Sequence, residues 1–162
     1  MKIKGIMGFI LILALTLISL SACSTDQGAS VEETLWTISV EGVKEEAINF
    51  TSSDAEKVGS REVKARLKKK DGSEKEQTWK GYGLKEVLEH LDAGEFSAVV
   101  VEAQDGYSKE LPKEVVIGEG TILGVMVDGK ALEESDNRVQ LVINGKTPNW
   151  WVKGVAKIKV IK

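Results

Sequence analysis

Apolar and polar residues alternate over Leu35-Trp36-Thr37-Ile38-Ser39-Val40 and again over Val63-Lys64-Ala65-Arg66-Leu67, the two-residue period of half-buried strands. Ser97–Ala103, Thr121–Val127, Val139–Ile143 and Val155–Ile161 are runs rich in β-branched residues and read as further strands. Four dipeptides punctuate them, Asp71-Gly72, Asp105-Gly106, Asp128-Gly129 and Asn144-Gly145, pairs that supply positive φ in tight hairpins. A helical period appears in Leu84, Val87, Leu88 and Leu91, spaced i, i+3, i+4, i+7 and stopped by Gly94. A single turn near Ser53–Val58 is the other helical candidate. The pattern predicts an α+β fold, mostly β, with mixed or antiparallel sheets and one or two short helices. It contains no Gly-x-Gly-x-x-Gly and no Gly-x-x-x-x-Gly-Lys-Ser/Thr, so dinucleotide-binding and P-loop folds lose their main support.

The first two dozen residues follow a different rule. Met1–Lys4 is basic, Gly5–Leu20 is an apolar run, and Leu20-Ser21-Ala22 places small residues before Cys23, the layout of an export signal. Leu20-Ser21-Ala22-Cys23 resembles a bacterial lipobox. That resemblance implies cleavage before Cys23 and lipidation of its thiol with a diacylglyceryl group and fatty acyl chains such as palmitate. Residues 1–22 are then a lipoprotein signal peptide, 23–33 the lipidated cysteine and a polar tether, and 34–162 the folded domain. The alternative, an uncut transmembrane anchor, is weakened by an apolar stretch that is short for a span. A ten-residue tether reaches at most about 35 Å, so the expected location is the extracytoplasmic face of the cell membrane.

Composition narrows the chemistry. The chain has 162 residues and a formal net charge of −3, and losing Lys2 and Lys4 with the leader makes the balance more acidic. That sign argues against nucleic acid as a partner. There is one Cys and one His. With Cys23 lipidated, no thiol nucleophile, disulfide or thiolate metal ligand remains. A multi-histidine site is impossible, and a Ser–His–Asp triad has only His90 to draw on. His90 lies off the apolar helical face and reads as a solvated surface histidine.

Several segments, in order, resemble the molybdopterin-binding domain of the sulfite oxidase family. They are Trp36–Val43, Trp79-Lys80-Gly81-Tyr82-Gly83-Leu84 leading into the helix, Val99–Tyr107 with its Asp105-Gly106-Tyr107 turn, Val125–Leu132 with Asp128-Gly129, and the closing Trp151–Ile158. The resemblance implies a mixed β fold with a pocket shaped for a pyranopterin. In catalytic members of the family the pocket carries molybdenum, bound by the pterin's dithiolene and one protein cysteine. That cysteine would fall in Arg66-Leu67-Lys68-Lys69-Lys70, which has none. In the family's register a cofactor-contacting Arg corresponds to Gln140 and a Pro to Asn144. Some bacterial members look like exported, non-catalytic receptors for small pterins, and the layout of this chain is similar to theirs.

A pterin is a flat, hydrogen-bonding bicycle, so its pocket wants aromatic faces and a few polar groups at the edge. Trp150-Trp151 is the most suggestive pair. If the two lie on a strand they point to opposite faces, so one is core and the other lines either a pocket or a partner-facing edge. Asp105 and Tyr107 belong to a hairpin whose Asp-Gly closes the turn and whose Tyr caps the core; on the family reading this loop rims the pocket, and a carboxylate can accept two hydrogen bonds from a 2-amino-pyrimidinone edge. Trp79 reads as a core aromatic or a pocket neighbour. Lys153 reads as a surface lysine or as the counterpart of the family's phosphate-contacting lysine. Lys68-Lys69-Lys70 reads as a solvated hairpin tip, with contact to anionic headgroups as the alternative. The leading expectation is a lipid-anchored, non-catalytic module that binds a pterin or molybdopterin-like ligand without molybdenum and signals to, or carries ligand for, a membrane-protein partner. The alternatives are a molybdopterin-dependent oxidoreductase subunit and a ligand-free interaction domain.

Overall fold

A computed structural model describes residues 34–162. The expected signal peptide, Cys23 and the expected tether lie outside the described residues. The strands are β1 (Thr37–Glu41), β2 (Ile48–Thr51), β3 (Arg61–Lys68), β4 (Glu74–Gly83), β5 (Ala98–Ala103), β6 (Ser108–Pro112), β7 (Thr121–Val127), β8 (Lys130–Ala131), β9 (Gln140–Ile143), β10 (Val152–Lys153) and β11 (Val155–Ile161). Three short helices accompany them, α1 (Ser52–Val58), α2 (Leu84–His90) and α3 (Lys113–Val116).

Two sheets enclose the core. The first has the order β2-β1-β11-β5-β6, with β1 and β11 parallel and its other pairs antiparallel. The second runs β10-β9-β7-β4-β3, all antiparallel, with β8 on β7. The central strand β7 and its neighbour β9 bury consecutive residues, Thr121–Gly124 and Gln140–Ile143, because both of their faces are covered. One continuous apolar cluster links the sheets to α2, whose Leu84, Val87 and Leu88 are buried as its periodicity predicts, while His90 stays exposed.

The short strands β2 and β6 escape a periodicity reading because four or five residues with one fully buried side chain each, Phe50 and Leu111, are too few to show a period. The strand β4 escapes it for another reason. Glu74–Gln77 has β3 as its one strand partner, in a two-stranded ribbon that projects past the sheet, so Glu74, Lys75 and Glu76 are all exposed. From Trp79 onward the same strand enters the sheet and pairs with β7. There Gly81 lies opposite Gly124 beside a bulge at Lys80/Gly81. A Cβ on Gly81 would overlap the Leu123 carbonyl oxygen, and one on Gly124 would come within 2.6 Å of the Trp79 ring, so the two glycines let the strands close and make room for the indole.

Three of the four turn dipeptides close hairpins: β3–β4, β5–β6 and β7–β8, the last with both Asp128 (φ 49°) and Gly129 (φ 78°) left-handed. Asn144-Gly145 does not. It docks sideways on β3, where the Asn144 side-chain oxygen accepts from the Arg66 amide at 2.9 Å and the Gly145 amide donates to the Arg66 carbonyl at 3.0 Å. α1 is longer than a single turn because Thr51 and Asp54 form a reciprocal capping box at its start. The Thr51 hydrogen bond holds the Asp54 carboxyl below its ordinary range, helped by Lys57.

Candidate functional site

Two hairpin ends and one irregular loop meet at the far end of β5. The β5–β6 turn is built by its own residues: the Asp105 carboxylate accepts from the Tyr107 amide at 2.9 Å, and the Ala103 amide donates to the Tyr107 carbonyl at 2.8 Å. This leaves the Tyr107 side chain 44% exposed rather than capping the core. Its hydroxyl instead donates to the Asn149 carbonyl at 2.7 Å and ties the hairpin to the loop that follows β9.

That loop carries the tryptophan pair, and the strand geometry expected for it is wrong. Pro148–Trp150 is a single 3-10 turn, and Trp151 is the residue before β10. The two side chains still diverge, for a different reason. Trp151 turns inward, 6% exposed, with its indole N–H donating to the Ile143 carbonyl at 2.9 Å. Trp150 stays half-buried on the outer side, with the Lys109 ammonium 4.1 Å and the Lys146 ammonium 4.8 Å from its ring centroid.

Between these parts lies an open groove of about 440 Å³ lined by Lys70, Ala103, Asp105, Tyr107, Pro148, Asn149, Trp151 and Lys153. Four sequence-predicted residues, Asp105, Tyr107, Trp151 and Lys153, are therefore brought together. Three are not part of its lining. Trp79 is a core residue behind it, 3% exposed, meeting Trp151 edge to face at 5.7 Å and 78°. Gln140 is buried in β9, paired across the strands with Lys153. Trp150 belongs to the outer face of the loop. Conversely Lys70, expected at a solvated hairpin tip or against anionic headgroups, lines the groove, which the β3–β4 hairpin reaches. No local pattern marks Lys70, Pro148 or Asn149, since three separate segments bring them there. The Trp79 indole N–H is buried with no acceptor.

A second groove of about 470 Å³ lies at the opposite end of β5, lined among others by Leu88, Phe96 and Ile117. Its lysines are already matched, Lys85 with Glu89 at 3.5 Å and Lys113 with Glu95 at 2.7 Å. It offers apolar surface but no unclaimed cation, so the groove at Trp151 is the better ligand site.

The donor set can be compared with a pterin and with its metal. Aromatic surface from Tyr107 and the rim of Trp151, a carboxylate at Asp105 and ammonium groups at Lys70 and Lys153 suit the ring and a polar substituent. No cysteine lies among the described residues; the one in the sequence is Cys23. Among the described residues no cluster of three or more His, Cys, Asp or Glu is arranged to hold a metal ion. Of the charged side chains that line the groove, one is a carboxylate, Asp105, and two are ammonium groups, Lys70 and Lys153, a set suited to the organic ring and its substituents rather than to holding a metal ion.

Two mixed and antiparallel sheets with short helices and a groove over one end define a domain of the sulfite oxidase type. The chain belongs to the oxidoreductase molybdopterin-binding domain family, which it matches over residues 26–162. Its fold is similar to that of the sulfane dehydrogenase SoxCD from Paracoccus pantotrophus, with a TM-score of 0.67 and 18% identity over 78% of this chain. The match spans 38% of the SoxCD chain. No curated protein sequence matches significantly.

Proposed function

We propose that this chain is a lipid-anchored extracytoplasmic module that binds a pterin or molybdopterin-like ligand in the groove beside Trp151, without chemistry at a protein-ligated metal. The observation that carries the reading is the convergence of Asp105, Tyr107, Trp151 and Lys153 on one groove in a molybdopterin-binding fold whose sole cysteine is Cys23. Tyr107, with 44% of its surface exposed, supplies the larger aromatic face, and Trp151, at 6%, a rigid rim. Asp105 accepts from the 2-amino-pyrimidinone edge with the oxygen its turn leaves free.

The test is a tryptophan-fluorescence titration with oxidised and reduced pterins. Saturable quenching is expected, weakened about tenfold or more by Tyr107→Ala, in line with about 1–3 kcal/mol for aromatic stacking. A flat titration at millimolar ligand overturns the binding reading. For the anchor, Cys23→Ser should shift the protein from the membrane to the soluble fraction of a bacterial host. Signalling or delivery to a membrane-protein partner fits an anchored, non-catalytic module, and cross-linking that depends on pterin would support it.

Family membership favours a second reading, a subunit of a molybdopterin-dependent oxidoreductase, since SoxCD is a dehydrogenase. In that case the pterin alone would hold the metal. Stoichiometric molybdenum and redox turnover after expression in a cofactor-competent host would establish it over the first.

A further inference from the structure

The chain enters the domain at the end that carries the groove. β1 runs parallel to β11, with Ser39 beside Lys157, and β11 begins at Val155 opposite Ala103, which lines the groove. The first residues of β1 therefore lie two strands, about 10 Å, across the sheet from the end of β5. Leu35 is fixed there by its amide, which donates to the Ser52 hydroxyl at 2.9 Å, and its side chain is 57% exposed. Lysines from three segments gather at the same end. The Lys68 amide donates to the Lys146 carbonyl at 3.4 Å, which joins the Lys68-Lys69-Lys70 tip to the segment after β9. The ammonium groups of Lys109, on β6, and of Lys146 lie 4.1 Å and 4.8 Å from the same ring centroid, that of Trp150. Trp150 is the one tryptophan of the four that is not buried. These five lysines stand against two acids of the same loops, Asp71 and Asp105, while Glu74 at the base of the first hairpin lies 4.0 Å from Arg66. In a chain of net charge −3 this end is basic and aromatic, whereas the groove at the opposite end of β5 is lined by Glu89, Asp92 and Glu95 against two lysines.

We propose that this end of the domain docks on the surface of an anionic phospholipid bilayer, with Trp150 at the level of the headgroups and Lys69, Lys70, Lys109 and Lys146 around it. The proposal rests on the lipid-anchor reading for bringing the domain to the membrane and needs no pterin. With Cys23 acylated, residues 24–33 are the chain between lipid and domain, at most about 35 Å when fully extended. Because that chain joins the domain at its basic end, this end meets the headgroups without the domain turning over. An indole has an apolar body and one polar tip, which suits it to the headgroup level. Ammonium groups are drawn to anionic lipid, and each lysine near such a surface strengthens docking about fivefold. The acyl chains hold the protein on any bilayer, so the lysines set its orientation rather than its attachment. A bilayer is favoured over an acidic protein as the occupant because the tether delivers this end to lipid whatever else is present. Docking then sets the groove end of the domain next to the membrane.

The experiment takes the full-length protein, purified from bacterial membranes, and reconstitutes it into vesicles of phosphatidylcholine or of equal parts phosphatidylcholine and phosphatidylglycerol. Both carry a lipid with a nitroxide on its headgroup, which quenches a tryptophan that touches the surface. Quenching is expected to be at least about twofold stronger in the anionic vesicles, and the difference should vanish in about 1 M salt, where screening acts within about 3 Å. Trp150→Phe should abolish it. Lys69→Gln, Lys109→Gln and Lys146→Gln combined should lower the docking equilibrium about a hundredfold and remove the difference as well. Lys44→Gln, Lys64→Gln and Lys159→Gln, an equal loss of charge at exposed positions elsewhere, should leave it intact. Thermal melts check that each set of substitutions leaves the fold in place. Flotation with both kinds of vesicle, together with quenching that is equal in the two or survives the first triple substitution, overturns docking and leaves the anchor standing. Flotation with anionic vesicles alone overturns the anchor and supports docking. Flotation with neither overturns both. Shielding of Trp150 from acrylamide in native membranes but in neither kind of bare vesicle assigns this end to a protein partner and overturns docking.

Discussion

Replacing each of the two interior tryptophans by phenylalanine separates packing from hydrogen bonding behind the groove. Trp151 and Trp79 touch edge to face and are 6% and 3% exposed, so both substitutions remove the same atoms from equally closed surroundings. The smaller ring leaves on the order of 40 Å³ empty, about 1 kcal/mol in either case. The two differ in the indole N–H. Trp151→Phe forfeits the bond to the Ile143 carbonyl, a net loss of about 1 kcal/mol. Trp79→Phe discards a buried donor that has no acceptor, which returns about 1 kcal/mol or more. Trp151→Phe should therefore destabilise by about 2 kcal/mol and Trp79→Phe by about zero. For a folded region of about 130 residues, 1 kcal/mol corresponds to a change in Tm of about 4 °C. Circular dichroism melts should then place Trp151→Phe about 8 °C below the parent and Trp79→Phe within about 3 °C of it. Equal losses, or the larger loss at Trp79, would refute the assignment of the satisfied and the orphaned indole.

Gly81→Ala should cost about 3 kcal/mol or more, read as a fall in urea midpoint, because the new methyl meets strand backbone rather than a movable side chain. Tyr82 donates to Glu56 at 2.9 Å, and burial, followed by that hydrogen bond and the Glu56 charge, pushes its phenol up to about 12 from 10.0. Its contribution is thus complete below about pH 10 and lost as pH rises toward 12, so urea midpoints should fall over that window and fall less in Tyr82→Phe. Thr51→Ala should cost about 1 kcal/mol by removing the cap of α1. The same change should weaken the loss of stability on acidification through the Asp54 range, since the lowered Asp54 carboxyl contributes above its ordinary value near 3.8 and the Thr51 bond is the main cause of that lowering. Both effects are readable in melts between about pH 2 and pH 7.

The strands that were legible in the sequence are those whose burial imposes a pattern. β1, β3, β5, β7, β9 and β11 each place several residues against the core, and α2 shows its face through Leu84, Val87 and Leu88. Where a strand of four or five residues buries one side chain, as in β2 and β6, or where none is buried, as in the Glu74–Glu76 part of β4, there are too few inward positions to show a period; β3 also buries only Ala65 fully, but its eight residues set Val63 and Leu67 on the same side. Turn chemistry carried three hairpins and failed at Asn144-Gly145, because a left-handed glycine serves equally to end a strand and dock on a neighbour.

The sequence by itself determined the local vocabulary of this protein: which runs can be strands, where the chain can turn, and that no thiol other than Cys23 exists. It also held enough ordered motifs to point to the family. What only the tertiary structure decided is which polar and aromatic residues share a surface. Asp105, Tyr107, Trp151, Lys153 and Lys70 come from segments up to 83 positions apart and meet because β5, β10 and the β3–β4 ribbon end at the same place. The physical reason is that strand pairing is specified by mutual burial of apolar faces, a property of the whole core, whereas the groove is made of exposed strand ends and loops that leave no periodic trace.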